Sequence, residues 1–199
     1  MLLNDIRLRI IWEFLSDYSA MPTGSFIARK HGLNQKSAAN ALNGMQKEGI
    51  LRYTTLGRNK HFSLVLEDRE PIINMMAAAE HLRTVEFYRK NLVIKEVATK
   101  ILPHCRGIVS IFGSYAKGLQ EKDSDLDIFV AGSCDKREIR RIGDIYGIGV
   151  SVQVYPTDLF GPALRKKDIF LTEVLKGHII IRDPEGFIAA FIKFYYGKD

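Results

Sequence analysis

The first third of the chain alternates between helical and extended spacing. Ile6, Ile10, Ile11, Phe14 and Leu15 recur at helical intervals, with Asn4 or Asp5 placed to cap the start and Met21-Pro22 to end the run. A short second helix is predicted in TGSFIARKHG, capped by Thr23 or Ser25 and stopped by Gly32. Asn34 caps a third helix, QKSAANALNGMQKEG, with Ala38, Ala41, Leu42 and Met45 inward and Gly49 at its end. Gln35, Lys36, Ser37, Asn40 and Asn43 occupy its other face. After Gly49 the period falls to two. ILRYTTL and HFSLVL read as strands, and GRNK between them as a hairpin turn with Arg58 and Lys60 at its tip.

From Pro71 to about Leu102 the pattern is helical and free of glycine, which predicts a helical connection between two packed domains. Met75 and Met76 read as core, and His81 and His104 as surface or capping residues without a partner at metal-ligand spacing. GIVSIF is a buried strand, GSYAKG a turn, and SDLDIFVAG a second strand. On that strand Asp125 and Asp127 face one way, and Leu126, Ile128 and Val130 the other. A helix in DKREIRRIGDIYG precedes a strand in IGVSVQVYP, with Val150, Val152 and Val154 opposite Ser151, Gln153 and Tyr155. The end of the chain reads helix, helix, strand, helix. The apolar stripe of FIAAFIKFYY is expected to pack on the core or on a second copy in a homodimer. RKKD at 165–168 is a basic patch able to meet phosphate, with a solvated helix end as the favoured reading.

Composition narrows the function classes. No apolar run reaches 18 residues, so no membrane span or membrane partner is expected. The N-terminus has acidic residues among its apolar ones and no signal-peptide pattern. Cys105 and Cys134 are the two cysteines and form no CxxC, which disfavours a disulfide framework and points to the cytoplasm. The net charge is +6, and residues 1–66 carry most of it, with 9 Lys/Arg against 4 Asp/Glu. A basic small domain suits a polyanion, DNA first among them.

The order of three helices, the third polar, and a basic-tipped hairpin resembles a winged helix-turn-helix domain, above all over MQKEGIL and GRNKHFSL. The resemblance implies base contacts from Gln35, Ser37 and Asn40 and phosphate contacts from Arg29, Lys30, Lys36, Arg58 and Lys60. Protein docking without DNA is the alternative for such a domain.

The second half poses a different problem. Two adjacent carboxylates repel, and one is forced toward its protonated form unless a cation relieves them. Mg²⁺ suits such a pair, because it takes a few carboxylates with waters and substrate phosphate oxygens. GSYAKGLQEKDSDLDIFV resembles the signature of the DNA polymerase beta-like nucleotidyltransferases, and its minimal branch most closely, over roughly residues 90–183. Gly113, Ser114, Gly118, Ser124, Asp125 and Asp127 match that signature, and Lys117 stands where many members carry Arg. The resemblance implies that Gly113-Ser114 holds the phosphates of a nucleoside triphosphate, with Lys117 adding positive charge. It also implies that Asp125 and Asp127 bind Mg²⁺ and are catalytic. Active members carry a third carboxylate on the next strand, and Gln153 falls where it is expected. Gln153 brings no charge and no base, with Asp123, Glu121 or Asp158 as loop substitutes.

The expectation is an α+β protein. Residues 1–66 form a winged helix and 67–102 connecting helices. Residues 103–199 form a nucleotidyltransferase-like domain with a mixed sheet and flanking helices. Its expected function is Mg²⁺-dependent nucleotidyl transfer from a nucleoside triphosphate to an unknown acceptor, a protein among the candidates. The alternatives are a regulator that binds nucleotide without turnover, and an antitoxin with a small helical toxin as its partner.

Overall fold

The computed structural model describes residues 5–67 and 69–197. Asn4, one of the two expected caps of the first helix, lies outside them. The chain divides into two compact units, one running to Ala79 and one spanning Glu80–Gly197.

In the first unit, α1 spans Asp5–Trp12 and ends well before Met21-Pro22. Single turns follow, in which Phe14 N–H donates to Ile11 O and Leu15 N–H to Trp12 O. The Asp17 carboxylate accepts from both the N–H and the hydroxyl of Ser19, a local arrangement that competes with helix. Phe14, Leu15 and Tyr18 are buried all the same. Helix α2 spans Gly24–Lys30, with Thr23 Oγ1 accepting from Phe26 N–H at 3.3 Å. Helix α3 spans Gln35–Lys47, and Asn34 Oδ1 accepts from the N–H groups of Lys36 and Ser37. Ala38, Leu42 and Met45 are its buried stripe. Strands β1 (Leu51–Leu56) and β2 (Asn59–Leu64) pair antiparallel, with Leu56 opposite Asn59. The turn is therefore only Gly57-Arg58, shorter than GRNK. Gly57 takes φ +61°, which a first central position with the twist of a hairpin requires. Lys60 belongs to β2, opposite Thr55.

The division between the units falls inside α4 (Arg69–Lys90). A break at Asn91 separates α4 from α5 (Leu92–Ile101), so the expected helical stretch is two helices. Met75 and Met76 are buried, and His81 is exposed.

The second unit is built on a four-stranded mixed sheet, β3 (Cys105–Phe112), β4 (Leu126–Cys134), β5 (Val150–Tyr155) and β6 (His178–Arg182), in the order β5-β4-β3-β6. Neighbours run antiparallel except β4 and β5, which are parallel through the crossover helix α7 (Lys136–Ile145). One face buries Val109, Ile111, Leu126, Ile128, Val130 and Val152 under Ile94, Val97, Ile139 and Ile142 of α5 and α7. On the other face Phe129 meets Phe160 of α8 (Thr157–Arg165) and Phe170 of α9 (Ile169–Lys176). Helix α10 (Pro184–Ala190) and a π-helical turn, Phe191–Tyr195, close the unit. Phe187, Ile188, Phe191 and Ile192 of the C-terminal stripe are buried. No helix among the described residues is long and apolar enough to cross a membrane.

Candidate functional site

GSYAKG forms a single helical turn, α6 (Gly113–Lys117), rather than an open turn. Gly118 ends it in the left-handed region at φ +67°. In the loop that follows, Ser124 Oγ accepts from Glu121 N–H at 2.8 Å, so this motif serine closes the loop. Strand β4 begins at Leu126. Asp125 is therefore the residue before the strand and is exposed, while Asp127 is its second residue and half-buried.

Each carboxylate lies against a glycine. A Cβ on Gly113 would collide with the Asp127 carboxylate, and Gly113 also takes φ +71°, so two separate constraints require glycine there. A Cβ on Gly149 would collide with the Asp125 carboxylate. Leu126 N–H donates to Gly149 O at 2.7 Å, which ties the start of β4 to the residue before β5. Burial raises the Asp127 carboxyl above its usual range. The Asp125 charge adds to that, and a hydrogen bond from the Ser151 hydroxyl works against it.

The parallel register sets what stands beside them. Asp127 pairs with Ser151, and Phe129 with Gln153. Ser151 and Gln153 share a face of β5, but Ser151 is the one level with Asp127. Gln153 lies two residues further along, about 7 Å at the rise of a strand, and is exposed. Among the described residues, no three His, Cys, Asp or Glu side chains gather closely enough to hold a metal ion. Lys117 packs its aliphatic stem on Gly177, and its Nζ lies 3.8 Å from Glu173, which also pairs with Lys176.

A buried polar trio supports the strand ends behind the Gly113 turn. His178 Nε2 is 2.8 Å from Glu80 Oε1, and its Nδ1 is 2.7 Å from Leu175 O. A carbonyl only accepts, so Nδ1 carries a proton. Arg83 donates to His178 O. His178 pairs with Phe112, the residue before Gly113. Burial alone would raise the Glu80 carboxyl, but His178 and Arg83 outweigh it and hold the group below its usual range. Sequence reading missed this trio, and with Glu80 and His178 98 residues apart no local signal points to it.

In the first unit the polar candidates separate into two sets. Gln35, Arg58 and Lys60 line one groove of about 330 Å³ together with Thr23, Ser25, Asn43 and Asn59. Lys36, Asn40 and Arg29 are exposed and Ser37 is partly so, and none of the four lines that groove. Lys30 donates to Glu13 at 2.7 Å, a carboxyl that also meets His31. Burial alone would raise Glu13, and the bonds from His31 and Lys30 hold it below its usual range. Lys60 Nζ lies 4.1 Å from the Tyr53 ring centroid.

Neither the curated proteins nor the solved structures include a significant match to this chain. A family model does match one part of it: residues 91–181, which contain the whole four-stranded sheet to within one residue and both aspartates, match the nucleotidyltransferase domain.

Proposed function

We propose that the second unit transfers a nucleotidyl group from a nucleoside triphosphate to an acceptor hydroxyl, and that the first unit is a winged helix that binds duplex DNA. The observation that carries the enzymatic half is the coupled pair Asp125 and Asp127. Asp127 is raised by burial and by its neighbour, and a divalent cation removes both penalties. A pair of carboxylates, one of them exposed, suits Mg²⁺, which completes its shell with waters and phosphate oxygens. When bound, the ion would polarise the α-phosphate and offset the charge on the departing pyrophosphate.

The chain's own residues do the rest. The Gly113-Ser114 turn, packed against Asp127, offers backbone N–H groups and the Ser114 hydroxyl to the triphosphate. Ser151 stands level with Asp127 but cannot take the acceptor's proton near neutral pH. That one residue favours a second reading, in which nucleotide is bound and not turned over. In the first unit, the groove between α3 and the hairpin supports DNA binding. It brings Gln35 and Asn43, suited to base edges, beside Arg58 and Lys60, suited to phosphates.

The test is transfer of α-labelled nucleoside triphosphate, with Mg²⁺, into a host lysate. Wild type should label an acceptor, and an Asp125→Ala/Asp127→Ala variant should not. Nucleotide binding without label transfer would replace the enzyme with the nucleotide-binding regulator.

A further inference from the structure

The basic run at 165–168 has aromatic partners that a solvated helix end lacks. Arg165 lies 4.8 Å and Lys193 Nζ 5.0 Å from the centroid of the same ring, Phe194. Lys167 Nζ lies 5.4 Å from the ring of Tyr195. Lys167 sits at φ +51°, an uncommon backbone for a lysine, in the turn that joins α8 to α9. Beside it is a cavity of about 600 Å³, lined by Lys166, Lys167, Tyr155, Leu159 and Ile169. Tyr155 of this lining stacks parallel to Phe170, their centroids 5.8 Å apart. Two carboxylates of the adjoining helix have other partners: Asp168 accepts from Leu171 N–H and from the Tyr155 hydroxyl, and Glu173 pairs with Lys176.

Two cations gathered on one ring repel each other, and an anion between them relieves that repulsion. Cations interleaved with partly exposed rings suit one polyanion above others, a single strand whose bases stack and whose phosphates meet Lys and Arg. We propose that this face of the second unit, Arg165, Lys166, Lys167 and Lys193 with Phe194 and Tyr195, binds single-stranded nucleic acid. The surface is made of second-unit residues and the α3–hairpin groove of first-unit ones, and its binding does not depend on nucleotidyl transfer.

The test uses the full chain and fluorescence anisotropy with labelled RNA and DNA strands of about 12 nucleotides, within single-strand site sizes, beside a duplex of the same sequence and vesicles rich in anionic lipid. A Lys166→Ala/Lys167→Ala/Lys193→Ala variant should bind at least one single strand about tenfold more weakly. Its slope of log affinity against log salt should be smaller by about two. The arm that loses more names the sugar. Duplex affinity should stay as in wild type, and an Arg58→Ala/Lys60→Ala variant should show the reverse pattern. The triple arginine variant should restore strand binding, which separates lost charge from lost fold. Unchanged strand affinity in the alanine variant, or wild-type binding to vesicles and not to strands, would overturn the proposal. Neither result bears on label transfer, whose proposed site at Asp125 and Asp127 shares no residue with this surface.

Discussion

In the first unit the polar side chains stand on open surface. Gln35, Lys36 and Asn40 on α3 and Arg58 and Lys60 on the hairpin are all exposed. In the second unit two carboxylates rest on glycine backbone, Asp127 against Gly113 and Asp125 against Gly149, and Ser151 stands level with Asp127. Water fills the place of a surface lysine that is removed, so changes in the first unit should add up charge by charge. A carboxylate wedged against a glycine has no such latitude. A single methyl group there displaces the charge that the site depends on, so changes in the second unit should act all at once.

The steepest contrast comes from one methyl group. Gly113→Ala introduces both the clash with Asp127 and strain at a positive φ. Label transfer should fall by roughly 10²-fold, the scale of a misplaced catalytic group. Duplex DNA affinity, read by anisotropy, should stay as in wild type. A matching loss of DNA binding would mean that the two chemistries are not separable in this way.

An effect of similar size and opposite sign tests the register. Ser151→Asp places a third carboxylate level with Asp127, whereas Gln153→Asp places one level with Phe129. Transfer in the first variant should rise about a hundredfold, the low end of what a positioned base contributes. The second variant should match wild type. The opposite ranking would show that the site is arranged around Gln153.

In the first unit, Asn34→Ala removes the acceptor for two N–H groups at the start of α3. Denaturant unfolding should register a loss of about 1 kcal/mol. Transfer by the second unit should not change.

The smallest effect is one of pH. The Asp127 carboxyl is raised in the folded chain, so the fold binds that proton more tightly than the unfolded chain does. Its contribution to stability is complete at low pH. It is lost as pH rises from the ordinary carboxylate range through the raised value. Asp127→Asn should therefore melt at a higher temperature than wild type near neutral pH, by a few degrees at most, and should not differ in acid. Adding Mg²⁺ should narrow the gap by stabilising wild type alone. A variant that melts lower than wild type at neutral pH would contradict the coupled-pair account.

How far the sequence could be read depends on how far each interaction reaches. The Asn34 cap acts over three residues, and its helix was legible down to the buried stripe Ala38, Leu42 and Met45. The early end of α1 at Trp12 was not, because the apolar pattern continues through Phe14 and Leu15, which the structure places in tighter turns. The spacing of Asp125 and Asp127 suggested mutual repulsion, whereas the Asp127 carboxyl is raised first by burial and only second by the Asp125 charge. Strand alternation put Ser151 and Gln153 on one face. Which of them is level with Asp127 is decided by the crossover through α7, and no count along β5 contains that information. Gly149 has the same difficulty, since its requirement comes from a side chain 24 positions earlier in the chain. The aromatic partners of the 165–168 run lie in a separate turn at Phe191–Tyr195, and the run alone reads as solvated charge.

The most direct measurement is titration calorimetry of the purified chain with each of the four ribonucleoside triphosphates, with Mg²⁺ and then with a chelator in its place. At least one nucleotide should bind wild type in the presence of Mg²⁺, with binding weakened by the chelator and absent in Asp125→Ala/Asp127→Ala. Equal binding by the wild type and the double variant, or no binding of any of the four with Mg²⁺ present, would contradict the assignment of the carboxylate pair to a metal–nucleotide site.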